Sequence, residues 1–222
     1  MLWYVSPQVL HSILDGLTSS TSSTIIEEVQ VVCRAGLATL AFFYFDFRDT
    51  KKQDLRSLLS SLLIQLSYRS DELSKILSEL YIAHDRGSRQ PRWEALLKCL
   101  KDMLSLPGQG KIYIIVDALD ECPDFSGYPT PREQVLSVMK ELVGLPLPHV
   151  HFCVMSRPEV DIRNILKPLA VHNVSLHEQA GQIQYISDYI KSVVYSDSKM
   201  GRWREEDKQL VIKTLTEKAG GM

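Results

Sequence analysis

Three acids at the end of an apolar run carry the clearest chemistry in this chain. Lys111 to Glu121 reads K-I-Y-I-I-V-D-A-L-D-E. Ile112 to Val116 is uninterrupted, mostly β-branched and preceded by a Gly-rich turn, as expected of a strand buried on both faces in a parallel sheet. Asp117, Asp120 and Glu121 follow where that strand must end, and the carboxyl ends of strands are where open parallel sheets hold ligands. Three carboxylates on one loop repel one another unless a cation or hydrogen-bond donors offset them. Mg²⁺ prefers oxygen ligands and keeps much of its water, so a Mg²⁺-nucleotide is the natural candidate. This is the pattern of a Walker B strand. Asp117 would hold the ion, and Asp120 or Glu121 would orient or deprotonate an attacking water. The plainer alternative is that the acids only form a turn after a core strand, where such residues are common.

The elements that must position these residues alternate. Met1 to Val5 is a short apolar stretch with strand character. Ser6-Pro7 opens a helical pattern over Leu10, Ile13, Leu14 and Leu17. Residues 18–24 (T-S-S-T-S-S-T) form a polar linker or long cap. Thr24 with Glu27 has capping-box spacing and is expected to open the next helix, which ends at Gly36. Leu37 to Phe47 suits a buried strand. Thr50 with Gln53 forms a second expected capping box, before a leucine-rich amphipathic helix through Leu66. Helices are expected near 71–82 and 92–105, then the acidic strand. Thr130-Pro131-Arg132-Glu133 opens another helix. Val150 to Met155 is a strand, followed by a short helix near 161–167, a strand near 171–176, and closing helices near 178–195 and 204–218. Strands alternating with helices make an α/β domain with a mainly parallel sheet.

The totals exclude several classes. A chain of 222 residues with 45% apolar and 23% charged residues suits a globular domain, and a net charge of −2 gives no electrostatic case for nucleic acid or an anionic membrane. Cys33, Cys99, Cys122 and Cys153 show no C-x-x-C spacing, which argues for reduced thiols rather than a disulfide framework or zinc site. No basic n-region and no apolar run approaching a membrane span occur, so the expected compartment is the cytoplasm. The six histidines lack metal spacing, with His149 and His151 assigned a structural role at a strand entrance. His177-Glu178 lacks a zincin's second histidine, and no nucleophile-elbow motif is present. No internal repeat is visible.

Four segments carry a family resemblance: F-Y-F-D-F-R-D-T-K-K (43–52), I-Y-I-I-V-D-A-L-D-E-C-P (112–123), H-F-C-V-M-S-R-P-E (151–159) and N-V-S-L-H (173–177). On these the chain resembles the NACHT-type nucleoside triphosphatase module of fungal receptor-like proteins, also described as a nephrocystin-3-like N-terminal domain. The resemblance implies a three-layer P-loop NTPase-like fold, a parallel sheet flanked by helices. It divides the chain into residues 1–23, a divergent segment in place of the P-loop, and 24–222, an NTPase core that stops before any winged-helix or ankyrin-repeat region. It also implies Mg²⁺ and ATP or ADP as cofactors, possible ATP hydrolysis, and protein partners or self-association through parts outside this chain. Asp117 matches the family's metal-binding acid, and Asp120-Glu121 its displaced catalytic acids. Arg157 matches the arginine that faces the terminal phosphate, a role that suits a forked guanidinium. Alternatively Arg157 is a solvated loop arginine, and Ser156 with Glu159 caps the following helix. Arg48 and Asp49 follow another strand and could face the same cleft.

One element of that pattern is missing from the sequence. No G-x-x-x-x-G-K-[ST] occurs, the motif whose backbone N–H groups cradle phosphates while its lysine reaches the β and γ positions. By register Thr18-Ser19 takes the Lys-Ser place, without the charge and without the close approach that glycine permits. The strand before that loop would lie between the strand near 171–176 and the strand near 150–155, a place that Met1 to Val5 is expected to fill. The expected function is a nucleotide-binding switch with impaired ATP/ADP binding. The alternative is a scaffold that binds no nucleotide, or a truncated gene product.

Overall fold

The computed structural model describes residues 2–4, 22–174, 180–197 and 199–219. The expected helix after Ser6-Pro7, together with Thr18, Ser19 and His177, lies outside them. The chain divides into two compact units, one holding Ser22–Asn173 with the N-terminal residues, the other holding Val174 onward.

A sheet is built from β1 (Leu2–Tyr4), β2 (Ala38–Tyr44), β3 (Lys111–Asp117), β4 (Val150–Met155) and β5 (His172–Val174), in the order β2-β3-β4-β1-β5. β2, β3 and β4 run parallel, in register from Ala38↔Lys111 to Tyr44↔Asp117 and from Ile112↔Val150 to Val116↔Val154. Their carboxyl ends therefore form one rim. Helices α1 (Ser22–Arg34), α2 (Leu55–Ser67), α3 (Asp71–Ala83), α4 (Trp93–Leu104), α5 (Pro131–Val143) and α6 (Val160–Leu166) connect and cover the strands. The α/β class and the helix-flanked sheet are as the sequence implied.

The side-chain alternation of the strands explains the layers. Ala41, Phe43, Ile112, Ile114, Val116, Phe152 and Val154 share one core cluster with the leucines of α2 and α4. Tyr113, Ile115, Cys153 and Met155, offset by one residue, are buried outside that cluster, as are Ile25, Ile26 and Val29 of α1. A strand turns successive side chains to opposite faces, so the sheet is covered on both. The leucine seam of α2 is buried from Leu55 to Leu66, as its periodicity requires. Gln65 also closes the exposed edge of β2: its amide donates to Phe42 O (2.7 Å) and accepts from Phe42 N–H (3.0 Å), which blunts an otherwise unpaired strand edge.

β1 corrects the expectation at the N-terminus in one respect. It occupies the expected place between β4 and β5, but it pairs antiparallel with β4, Leu2↔Met155 to Tyr4↔Cys153. Leu2 thus lies at the rim formed by the carboxyl ends of the parallel strands, and the chain runs away from that rim through Tyr4. A phosphate-binding strand would have to run the other way.

Three caps also differ from the sequence reading. α1 already includes Ser22, so Thr24 lies inside the helix rather than capping it. Near residue 50, Asp49 caps a 3-10 turn (Thr50–Lys52) through Lys51 N–H, and Asp54 caps α2 through Ser57 N–H (2.7 Å). Aspartates outcompete Thr50 because an ionised acceptor holds an orphan N–H more strongly. Ser156 and Glu159 make no capping box: the Ser156 hydroxyl donates to Arg157 O (2.7 Å), and Glu159 stands at the N-cap of α6 without a side-chain bond. The Thr130–Glu133 box at α5 is formed in both directions.

In the second unit α7 (Ala180–Ser196) and α8 (Glu205–Ala219) are joined by a 3-10 turn, Met200–Arg202. Tyr195 donates its hydroxyl to Glu205, accepts from Gln209 Nε2 (2.9 Å), and lies under Lys208 Nζ (5.4 Å). Among the described residues, no helix is long and apolar enough to cross a membrane.

Candidate functional site

The rim at the carboxyl ends of β2, β3 and β4 gathers most of the singled-out residues. β3 ends at Asp117, whose Oδ1 accepts from Ala118 N–H (2.8 Å). Ala118 is left-handed (φ 53°), an unusual state for a residue with a Cβ. It reverses the chain into a 3-10 turn, Leu119–Glu121, anchored by the fully buried Leu119. That reversal carries Asp120 and Glu121 back over the strand ends.

Each acid is then held by a donor from a neighbouring strand. Asp120, its side chain only 10% exposed, accepts Arg157 N–H at Oδ1 (2.9 Å) and faces Arg157 Nε at Oδ2 (3.4 Å). It thereby ties the end of β3 to the end of β4. Glu121 Oε2 accepts from Phe47 N–H (3.1 Å), tying the same turn to the loop after β2. Gln53 completes that loop, donating to Phe47 O (2.6 Å), while its own carbonyl lies 3.3 Å from Cys122 Sγ. Protein donors thus offset the mutual repulsion of the three acids, one of the two solutions their spacing left open.

Arg132 is the residue the sequence did not single out. It sits in the first turn of α5, only 7% exposed. Its Nε donates to Cys122 O (2.8 Å) and its Nη2 to Asp120 O (2.7 Å), while Nη1 lies 3.4 Å from Asp161 Oδ2 and 3.5 Å from Asp124 Oδ2. A single planar fork therefore holds the turn's backbone from beneath, which suits arginine's fixed donor geometry. In the sequence it was hidden inside a capping box. The available signal was an arginine at a helix start, where the dipole disfavours positive charge.

A hollow of about 370 Å³ opens at this rim, lined by Phe47, Asp120, Glu121, Phe125, Arg132 and Arg157 among others, and not by Asp117. The structure therefore brings together Asp120, Glu121 and Arg157 and leaves Asp117 at the strand end beside them. Arg48 packs over the Phe47 ring (5.1 Å) and Asp49 caps its own turn. Among the described residues, no three His, Cys, Asp or Glu side chains come together to hold a metal. The pKa values of two buried thiols on and beside these strands are raised by their surroundings. Burial pushes Cys122 up to about 12, with Arg132 opposing and Asp54 reinforcing, and burial followed by the Asp117 charge pushes Cys153 up to about 12.

What the rim offers a ligand is limited and specific. Arg157's side chain is 79% exposed beside Asp120, so its guanidinium can reach an anion. Glu121 Oε1 and Asp117 Oδ2 make no protein hydrogen bond among the described residues. Asp120 has both oxygens turned to Arg157, which fits a positioning residue better than a free base.

A family model, Nephrocystin 3, N-terminal, matches residues 18–157, from ahead of α1 to Arg157. No curated protein and no solved structure matches the chain.

Proposed function

The chain belongs to the nephrocystin 3 N-terminal family, and from that membership we propose a switch module of a NACHT-type signalling protein, derived from a P-loop NTPase, that holds Mg²⁺-nucleotide weakly and signals by strand-end rearrangement rather than by efficient hydrolysis. The observation that carries the proposal is the Asp120–Arg157 clasp between the ends of β3 and β4. An exposed guanidinium held by one carboxylate can exchange that partner for a terminal phosphate, and the exchange would loosen β4 from β3. Such a local electrostatic event biasing a two-state element is how nucleotide switches work.

The donor set fits one side of the cofactor. Asp117 Oδ2 would take the metal and Arg157 the terminal phosphate, with Glu121 the carboxylate best placed to accept a proton. The chemistry supplied by a Mg²⁺ held there would be neutralisation of phosphate charge. The other side, a glycine-rich cradle followed by Lys-Ser, has no counterpart in the sequence. Weak binding follows, with Kd on the order of 0.1–1 mM, or about −4 to −5.5 kcal/mol.

A second reading, a scaffold that binds no nucleotide, is favoured by one observation. β1 fills the sheet beside β4 in the antiparallel sense, so it directs no loop toward the acids. Calorimetric titration of Mg-ATP and Mg-ADP into the folded chain separates the two. Weak saturable binding that is lost in Asp117→Ala and reduced in Arg157→Ala supports the switch. Absence of binding by a chain that circular dichroism shows to be folded leaves the scaffold.

A further inference from the structure

We propose that the groove between α2, α3 and α4, lined by none of the residues of the acidic rim, docks a short amphipathic helix of a partner protein that carries acidic residues at one end. The groove has a volume of about 410 Å³, and Leu63, Ile64, Leu77, Tyr81 and Leu96 are among its lining residues. Of α3, only Leu73 is fully buried. Ile64 is 49% exposed and Tyr81 54%, so apolar lining residues from both α2 and α3 face solvent at the groove. Scattered apolar residues need no explanation, but a connected strip around a concavity marks a binding surface.

One end of the groove is built differently. The loop after α3 lines it through His84, Gly87 and Arg89, and Asp85, Arg86 and Gly87 all have positive φ (52°, 53° and 88°). Two consecutive left-handed residues with side chains are strained, and such strain persists only where surrounding contacts over-determine it. Here Arg89 pairs with Asp85 (2.6 Å) and donates to Ala83 O (3.3 Å), and His84 Nδ1 lies 2.9 Å from Leu80 O. Gly87 has φ 88°, a conformation that side chains rarely adopt, and a Cβ there would lie 3.0 Å from the Tyr81 ring. The loop thus packs against the Tyr81 ring at this end of the groove.

Charge at this end selects the occupant. Arg89 lines the groove and is paired with Asp85, Arg92 lines the adjoining hollow with Arg89 and Glu94, and Arg56 donates to Gln90 Oε1 (3.3 Å) of that hollow. In a chain of net charge −2, that is a local positive excess and favours an acidic partner. The walls are helices whose backbone groups are paired internally, so the groove offers no edge for strand addition. Its inter-ridge shape suits the apolar face of another helix, read at i, i+3, i+4 and i+7.

The test uses the full chain and two fluorescein-labelled synthetic helices that share one leucine face. One carries glutamates at one end of its polar face, the other lysines at the same positions. Fluorescence polarisation is expected to show saturable, salt-sensitive binding of the glutamate peptide and at least about tenfold weaker binding of the lysine peptide. Ile64→Glu is expected to abolish binding, as is Tyr81→Lys, a second exposed position should the first variant misfold. Arg56→Glu with Arg92→Glu is expected to reverse the charge preference. Equal binding of both peptides, or binding unchanged in Ile64→Glu, overturns the proposal. So does concentration-dependent dimerisation that Ile64→Glu removes, which would assign the groove to a second copy of this chain.

Discussion

At Arg132 one guanidinium holds two carbonyls and faces two carboxylates, so its loss leaves backbone acceptors unpaired beneath the acidic turn. Arg132→Ala is expected to cost about 2–4 kcal/mol, since hydrogen bonds from a charged donor contribute about 1.5–3 kcal/mol each and the two acids remain partly solvated. The check is a fall in the urea midpoint with an unchanged m-value. Arg132→Lys should recover only part of the loss, because an ammonium cannot fork. The Asp120–Arg157 clasp makes an asymmetric prediction. Asp120→Ala removes the acceptor of a backbone N–H as well as an ion pair and should cost about 1–3 kcal/mol, whereas Arg157→Ala removes an exposed side chain and should stay within about 1 kcal/mol. Equal costs would mean that the guanidinium, not the backbone bond, dominates the clasp. Asp117, Asp120 and Glu121 were legible in the sequence as a cluster, because acids after a β-branched run stand out. What Asp120 and Glu121 hold was not, because their donors come from Arg157 and Phe47, residues 37 and 74 positions away. Arg132 was legible only as part of a cap.

At the scale of the element, β3 and β4 carry a buried polar pair on the face opposite the leucine seam. Tyr113 and His151 are register partners with stacked rings (5.0 Å, 29°), 2% and 3% exposed. Among the described residues, the Tyr113 hydroxyl and both His151 nitrogens have no hydrogen-bond partner. Burial, helped by the Lys111 charge and by His149, holds the His151 imidazole below its ordinary pKa, so the native state keeps it neutral. The unfolded chain takes up that proton as pH falls through about 6.5. The unfolded state then binds more protons, so stability is fully present above that pH and declines below it, by up to about 1.4 kcal/mol per unit for this one site, until the lowered native pKa is reached. Denaturation midpoints measured between mildly acidic and neutral pH should show this decline, and His151→Phe should flatten it. Tyr113→Phe should change stability by less than about 1 kcal/mol, because it removes a hydroxyl with no partner among the described residues. Helix and strand periodicity made the described elements legible to within a residue or two, except that the strand expected over Leu37 to Phe47 ends at Tyr44. Their caps were less so: Thr50 and Thr24 have the right spacing, but Asp49, Asp54 and an earlier helix start decide the geometry.

At the scale of the whole molecule, the sheet needs a strand between β4 and β5, and the sequence showed both the need and the segment that meets it. Direction was not legible, since three residues, Leu2 to Tyr4, alternate identically read either way, and only the pairing with β4 fixes the antiparallel sense. The consequence is physical. A strand inside a sheet uses its N–H and C=O groups on both sides, so β1 stabilises β4 although it is short and lies at the start of the chain. Trp3, opposite Val154, is the position to test. Trp3→Pro removes the amide donor and clashes with the ladder, a substitution tolerated only at sheet edges. If β1 is an interior strand, the variant should lose about 1–3 kcal/mol for each backbone group left buried and unpaired. Hydrogen exchange should localise the loss, with the amides of Cys153 to Met155 exchanging faster while those of β2, three strands away, keep their protection until global unfolding. Uniform acceleration across the sheet would mean that β1 contributes to global stability without being a local partner of β4. No change at all would mean that β4 does not depend on it. The first outcome also bears on nucleotide, because a β4 held by β1 on one side and by the Asp120–Arg157 clasp at its end has two independent restraints, and a phosphate that opened only the clasp would move the strand end and leave its body in place.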